Sequence, residues 1–256
     1  MPLATTIFGS DEANPPLLIV HGLFGSARNW GVIAKRLSDT RQVITVDMRN
    51  HGESPWFPTH SYPDLADDLM QVIKAHGGRA DVLGHSMGGK AAMVLALTQP
   101  SLVNRLVVAD IAPVVYGHTQ AHLIHAMRAL DLAQVEKRSD ADALLAEEIE
   151  TPSVRAFLLQ SLDVKERRWR LNLDVLETEM PRIIGFPDIT GQFNGPALFL
   201  SGADSDYVQP GHRPLIKALF PNAVFARIPG AGHWLHAEKP REFEAALRAF
   251  LPVSAD

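Results

Sequence analysis

The stretch Ala80-Asp81-Val82-Leu83-Gly84-His85-Ser86-Met87-Gly88-Gly89-Lys90 decides how the rest of the chain is read. Ala80 to Leu83 is a short apolar run with the length of a buried strand, and Gly89 to Thr98 has the composition and length of a helix. Between them stands Gly-x-Ser-x-Gly. A strand-to-helix turn this sharp strains the backbone of its central residue, and glycines two positions before and after it let the two elements pass closely. Ser86 is therefore expected to project its hydroxyl from the turn as a nucleophile. The Met87 N–H, at the start of the helix, is expected to face any oxyanion formed beside it. A turn that is merely glycine-rich would not require serine in the middle.

Outward from this turn the pattern of strand, then loop, repeats. Leu17-Leu18-Ile19-Val20 is too short for a helix and reads as a strand buried on both faces, ending in His21-Gly22-Leu23-Phe24-Gly25-Ser26. Ligands of a parallel sheet sit beyond the carboxyl ends of its strands, so this loop is expected on the rim that carries Ser86. The Leu23 N–H is the candidate second oxyanion donor, and His21 is expected to hydrogen-bond backbone beneath the loop. Gln42 to Val46 is the next strand; the polar run Asp47 to Ser54 after it is expected to tie down a tight loop. Ser61 caps a helix that runs to about His76 and stops at Gly77-Gly78.

Further strands are expected at Leu3 to Phe8, Arg105 to Ala109, Ala197 to Ser201 and Ala223 to Ile228, with Gly9 to Pro16 as turn material. Shorter helices are expected at Trp30 to Leu37 and His212 to Phe220, and an amphipathic C-terminal helix begins at Pro240. From Pro113 to about Gly191 the apolar spacing is helical throughout, with no strand signal. A helical insertion between two strands of a sheet is best read as a cap over the strand ends. The expected architecture is α/β: a mostly parallel central sheet flanked by helices, with residues 1–112 and 192–256 as the core and 113–191 as an inserted helical cap. Within that insertion His118, His122 and His125 share one face of the first helix. No glutamate accompanies them as a metalloprotease helix requires, so they are expected to line a polar cleft wall, and no metal or cofactor is expected.

At 256 residues and 46% apolar content, the chain suits one large domain. Its formal net charge of −5, with scattered basic residues, argues against nucleic acid as a partner. The sequence contains no cysteine, which excludes disulfides and thiolate chemistry. No apolar run approaches the ~18 residues needed to span a bilayer, and Met1 to Ser10 lacks the marks of a secretory leader. A cytoplasmic location is the expectation.

A serine nucleophile needs a base, and His233, beside glycine after the last strand, fits the chain order serine, acid, histidine. His85 is expected to point away from Ser86, while His51 and His236 lack an equal positional argument. Four segments then carry a resemblance over nearly the whole chain: His21 to Ser26, Asp47 to Gly52, Gly84 to Lys90 and Ala231-Gly232-His233-Trp234. Through them the sequence resembles the alpha/beta-hydrolase superfamily, and within it the small YbfF-type bacterial esterases. The resemblance implies a Ser-His-acid serine hydrolase acting on esters, so the expected partner is a small-molecule ester substrate, with the Leu23 and Met87 N–H groups read above as its oxyanion donors. It departs from the common pattern at Ser205, which holds the place after the second-to-last strand where many members carry the acid. Asp110, at a strand end beside the His233 loop, is the leading candidate for that acid; Asp204 is the runner-up and Asp206 the third. The same triad could serve thioesters or a C–C bond beside a carbonyl, and the same fold could serve as a ligand receptor with little turnover.

Overall fold

The structure, a computed structural model, describes residues 2–10 and 14–252. Seven strands form one sheet in the order β1 (Thr5–Phe8), β3 (Val43–Val46), β2 (Leu17–Val20), β4 (Ala80–His85), β5 (Val103–Ala109), β8 (Ala197–Gly202) and β9 (Ala223–Ile228). Every neighbouring pair is parallel except β1 with β3. The strands β2, β3 and β4 are buried along their whole length, as parallel strands covered on both faces must be.

The pleat sends alternate side chains to opposite faces, so β2 feeds two cores. Leu17 and Ile19 pack with Trp30, Ile33 of α1 (Gly31–Leu37) and Phe243 and Leu247 of α11 (Pro240–Phe250). Leu18 and Val20 pack with Leu65 and Leu69 of α2 (Tyr62–Ala75) and with α3 (Met87–Thr98). On α2 the Ser61 hydroxyl accepts from the Asp64 N–H, and the Asp64 carboxylate reaches back to Ser61, a reciprocal cap at the predicted start. Helix α3 begins at Met87, two residues before the expected Gly89, because Ser86 itself stands in the N-cap position.

Between β5 and β8 lie α4 (Ala121–Ala129), α5 (Arg138–Leu145), α6 (Pro152–Leu158), α7 (Leu173–Thr178) and α8 (Met180–Ile184). The expectation of unbroken helical structure there is corrected by an antiparallel pair, β6 (Leu162–Asp163) and β7 (Arg168–Trp169). Two residues per strand are too few to show a period of two. The hairpin is set by a turn with Arg167 at φ 50° and by tertiary anchors: the Trp169 indole N–H donates to the Met127 carbonyl, and the Gly52 N–H to that of Arg170. Smaller differences are a short helix α10 (Leu235–Glu238) ahead of the expected C-terminal helix, and α9 (Arg213–Leu219), which starts after His212. The turn expected over Gly9 to Pro16 falls partly outside the described residues, at 11–13. Among the described residues no helix is long and apolar enough to cross a membrane.

The amino end of β4 is pinned by charge. Arg41 donates to Asp81 at 2.7 Å and to the carbonyls of Leu251 and Pro252, while Asn104 donates to the other Asp81 oxygen at 2.8 Å. Both partners of this ion pair are buried, with side chains 3% and 0% exposed. Removing Arg41 leaves the buried Asp81 carboxylate with only the Asn104 amide and the Arg105 guanidinium at 3.9 Å, and breaking such a buried pair costs up to about 3–5 kcal/mol. Arg41→Met is therefore expected to lower unfolding stability by about that amount in urea titrations. A loss below about 1 kcal/mol would show that Arg105 and Asn104 suffice to hold the Asp81 carboxylate.

Candidate active site

Ser86 adopts φ 53° and ψ −121°, a conformation that side-chain-bearing residues rarely take. Its N–H still donates to the Ala109 carbonyl at 3.0 Å, extending the sheet one residue before the chain swings into α3. The flanking glycines are required by contact: a Cβ on Gly84 would lie 2.2 Å from the Gly88 carbonyl oxygen, and one on Gly88 would lie 2.4 Å from that of His21. The turn is therefore wedged between its own helix and the His21 loop.

His233 reaches this turn from the loop after β9. Its Nε2 lies 3.1 Å from the Ser86 hydroxyl, and its Nδ1 lies 2.8 Å from Asp110 Oδ2. A carboxylate can only accept, so Nδ1 carries the proton and Nε2 presents its lone pair to the serine. Asp110 follows β5, has φ 53° and is fully buried. Its second oxygen accepts from the Gly202 N–H at 3.1 Å, and Oδ2 also accepts from the Ser205 hydroxyl at 2.5 Å. Ser205 thus occupies the place of the usual acid and serves Asp110 as a donor. Asp204 and Asp206 are exposed, and neither side chain reaches His233.

The second wall is the loop from His21 to Ser26. The Gly25 N–H donates to the Gly22 carbonyl, and the Phe24 N–H donates to His51 Nε2 at 3.2 Å. Leu23 lies in the pocket with Ser86 and Met87, and among the described residues neither the Leu23 nor the Met87 N–H is taken by a loop or side-chain acceptor. Beneath the loop His21 donates from Nδ1 to the Gly22 carbonyl and accepts the Met48 N–H at Nε2. Burial pushes its pKa down to about 4, and that of His51 to about 3, so both stay neutral acceptors at ordinary pH. The Asp47 to Ser54 run is structural, as expected: Asp47 accepts the Ala27 and Glu53 N–H groups, and Gly52 turns at φ 58° against its carboxylate. His85 spends a ring N–H on the His233 carbonyl at 2.8 Å, bracing the loop that carries the base.

A cavity of about 290 Å³ opens over Ser86. One wall is apolar and belongs to the insertion, with Leu123, Val154, Phe157, Ile183 and Ile184. The expectation that His118, His122 and His125 share a helix face is corrected. His118 precedes α4 and lies 3.0 Å from the Tyr207 hydroxyl, while His125 pairs with Glu177. Among the described residues no three potential ligands converge on a metal site.

Two residues not singled out from the sequence matter here. Tyr207 stacks on the His233 ring. Lys90, one turn along α3 from Ser86, is buried, and its ammonium donates to the carbonyls of Val114, Ile184 and Gly185. Burial pushes its pKa down to about 7. The sequence signal was a lysine inside the apolar run Gly89 to Leu97.

Against known proteins, the family described as alpha/beta hydrolase fold matches residues 15–240. The chain is 42% identical to the sn-1-specific diacylglycerol lipase ABHD11 of Mus musculus, over 98% of this chain and 85% of that one. It is 41% identical to the esterase YbfF of Escherichia coli, over 93% of each. A solved structure described as a marine microorganism esterase superposes with a TM-score of 0.93 at 39% identity, covering 98% of this chain and 99% of that one. A match that spans six of the sheet's seven strands, the Ser86 turn and the His233 loop leaves one assignment: the chain belongs to the alpha/beta-hydrolase family.

Proposed function

We propose that the protein is a serine hydrolase that cleaves carboxylic esters through an acyl-enzyme on Ser86. The observation that carries this reading is the unbroken hydrogen-bonded line from Asp110 through His233 to Ser86, ending at the floor of an apolar cavity. The esterase and lipase names of its relatives support the ester as the bond attacked.

In the first half-reaction the Ser86 oxygen attacks the ester carbonyl as His233 Nε2 takes its proton. The oxyanion forms between the Met87 and Leu23 N–H groups, where preorganised donors are worth about 10²–10³ in rate. Buried Asp110 accepts the Nδ1–H, fixes the tautomer and stabilises the imidazolium, which then protonates the leaving alcohol. Water, activated by the same histidine, releases the acid. Residues 113–191 act in this scheme as a cap whose apolar wall receives the acyl chain, on a core of 1–112 and 192–256. A cytoplasmic setting rests on composition, above all the lack of cysteine.

Ser86→Ala is expected to abolish both ester turnover and covalent labelling by a fluorophosphonate. Asp110→Asn is expected to stay folded and lose about 10³–10⁴ in kcat, with Asp204→Asn and Asp206→Asn near the parent. Near-parent turnover in Asp110→Asn together with a dead Asp204→Asn would move the acid to the later strand. A second measurement addresses the cap. Exchanging 113–191 for the corresponding segment of a relative should shift the preferred chain length across a series of p-nitrophenyl esters, and an unchanged profile in a folded chimera would place selectivity in the sheet loops.

A further inference from the structure

His233 is engaged at both ring nitrogens, by Asp110 and by Ser86, and an imidazole's N–H and lone pair both point along the ring plane. What remains open to the protein is its two faces. On one, the Tyr207 ring lies parallel at a centroid distance of 3.9 Å and an interplanar angle of 19°. His85 approaches with its centroid at 4.8 Å, tilted by 42°. Burial holds the His85 ring well below the ordinary histidine range, and His236, packed behind it, is pushed down to about 3, so neither brings a positive charge. Among the described residues Asp110 is the one carboxylate bonded to the ring, while Ser205 and Ser86 are uncharged.

Tyr207 is itself held firmly. Its carbonyl accepts the Tyr116 hydroxyl at 2.8 Å, and the Tyr116 oxygen in turn accepts the Ala112 N–H at 2.9 Å. At the far end its hydroxyl shares a hydrogen bond with His118, on the approach to α4. Burial raises the phenol pKa, so the ring stays neutral and keeps its negative face toward the imidazole.

We infer that Tyr207 is a positioning residue for His233. Its ring holds the imidazole in the plane that serves Ser86 and Asp110, and its π face stabilises the imidazolium present each time the base has taken a proton. The inference rests on the acyl-enzyme reading above. An aromatic face over a cation favours the charged form, so each half-reaction, which passes through the imidazolium, is faster with the Tyr207 ring in place. The span of such contacts corresponds to roughly a twofold to thirtyfold effect.

The test is the pH profile of kcat/KM for a p-nitrophenyl ester. Tyr207→Leu fills the space with an apolar group that has no π face. It is expected to lower the plateau about tenfold and to move the acid limb about half a unit or more toward lower pH. Tyr207→Phe keeps the face and is expected to hold plateau and limb near the parent. Should the leucine variant fail to fold, pentafluorophenylalanine in place of Tyr207 keeps the shape, reverses the ring quadrupole and should move the limb in the same direction. A lower plateau with an unmoved limb would reduce Tyr207 to packing, and a phenylalanine variant as impaired as the leucine one would assign the effect to the hydroxyl; either overturns the inference. Ser86→Ala is run beside them. Full turnover there would overturn the acyl-enzyme reading itself, whereas a dead Ser86→Ala with a parent-like Tyr207→Leu would overturn this inference alone.

Discussion

The close passage of β4 and α3 at Ser86 is the constraint on which the rest of the site depends. The serine can stand clear of both elements only if its backbone takes a left-handed conformation that costs on the order of 1–3 kcal/mol. That strain persists because the surroundings over-determine it. Gly84 sits against the Gly88 carbonyl, Gly88 against those of Val20 and His21, and the Ser86 N–H is fixed to β5. Each contact is also a distance in the site: the approach of Gly88 to His21 brings the Leu23 loop beside the Met87 N–H. The same device recurs at Asp110, also at φ 53°, where the chain leaves the adjacent strand and turns a carboxylate toward His233.

A second requirement follows from burying so many polar groups around a loop that must not move. His21, His51 and His60 form a layer under it, with ring centroids 5.0 and 5.4 Å apart. Two of them accept a backbone N–H, which a protonated imidazole cannot do. Burial keeps all three below the ordinary histidine range, so the acceptors survive well into acid. His85 differs in role: its ring N–H goes to the carbonyl of His233. Histidines that resemble competing bases in the sequence are thus the supports of the candidate base and of the candidate oxyanion loop.

The elements legible in the sequence are those written locally. Buried parallel strands announce themselves as unbroken apolar runs, and Ser61 marks the start of α2. Chain order and strand ends restrict where a candidate acid can come from and point to Asp110, whose carboxylate lies 2.8 Å from His233 Nδ1. What stayed illegible depends on tertiary contact. The β6–β7 pair is too short for any periodicity and is held by the carbonyl of Met127 and by Gly52. His118 looked helical by spacing, yet the helix begins at Ala121 and leaves it to meet Tyr207. Nothing in the sequence near Tyr207 indicates that its ring lies on a histidine 26 positions later.

Lys90 shows how α3 and the insertion are made one unit. Its ammonium has three protons, and the three carbonyls that take them come from Val114, on the way into the helical segment, and from Ile184 and Gly185, on the way out. The Tyr116 ring, 4.7 Å away, supports the same charge. Backbone carbonyls are weak compensation for a buried cation beside a carboxylate, and burial accordingly draws the lysine toward neutrality. A neutral amine would still donate two hydrogen bonds but would turn a lone pair toward the third carbonyl. The junctions of the insertion are therefore tied to α3 most tightly while the proton stays. Because α3 begins at Met87, the apolar wall and the candidate oxyanion donor are registered against the same rigid element. A chain can then vary the wall by changing helices α4 to α8 without disturbing the Ser86 turn, provided the two junctions still present their carbonyls to Lys90.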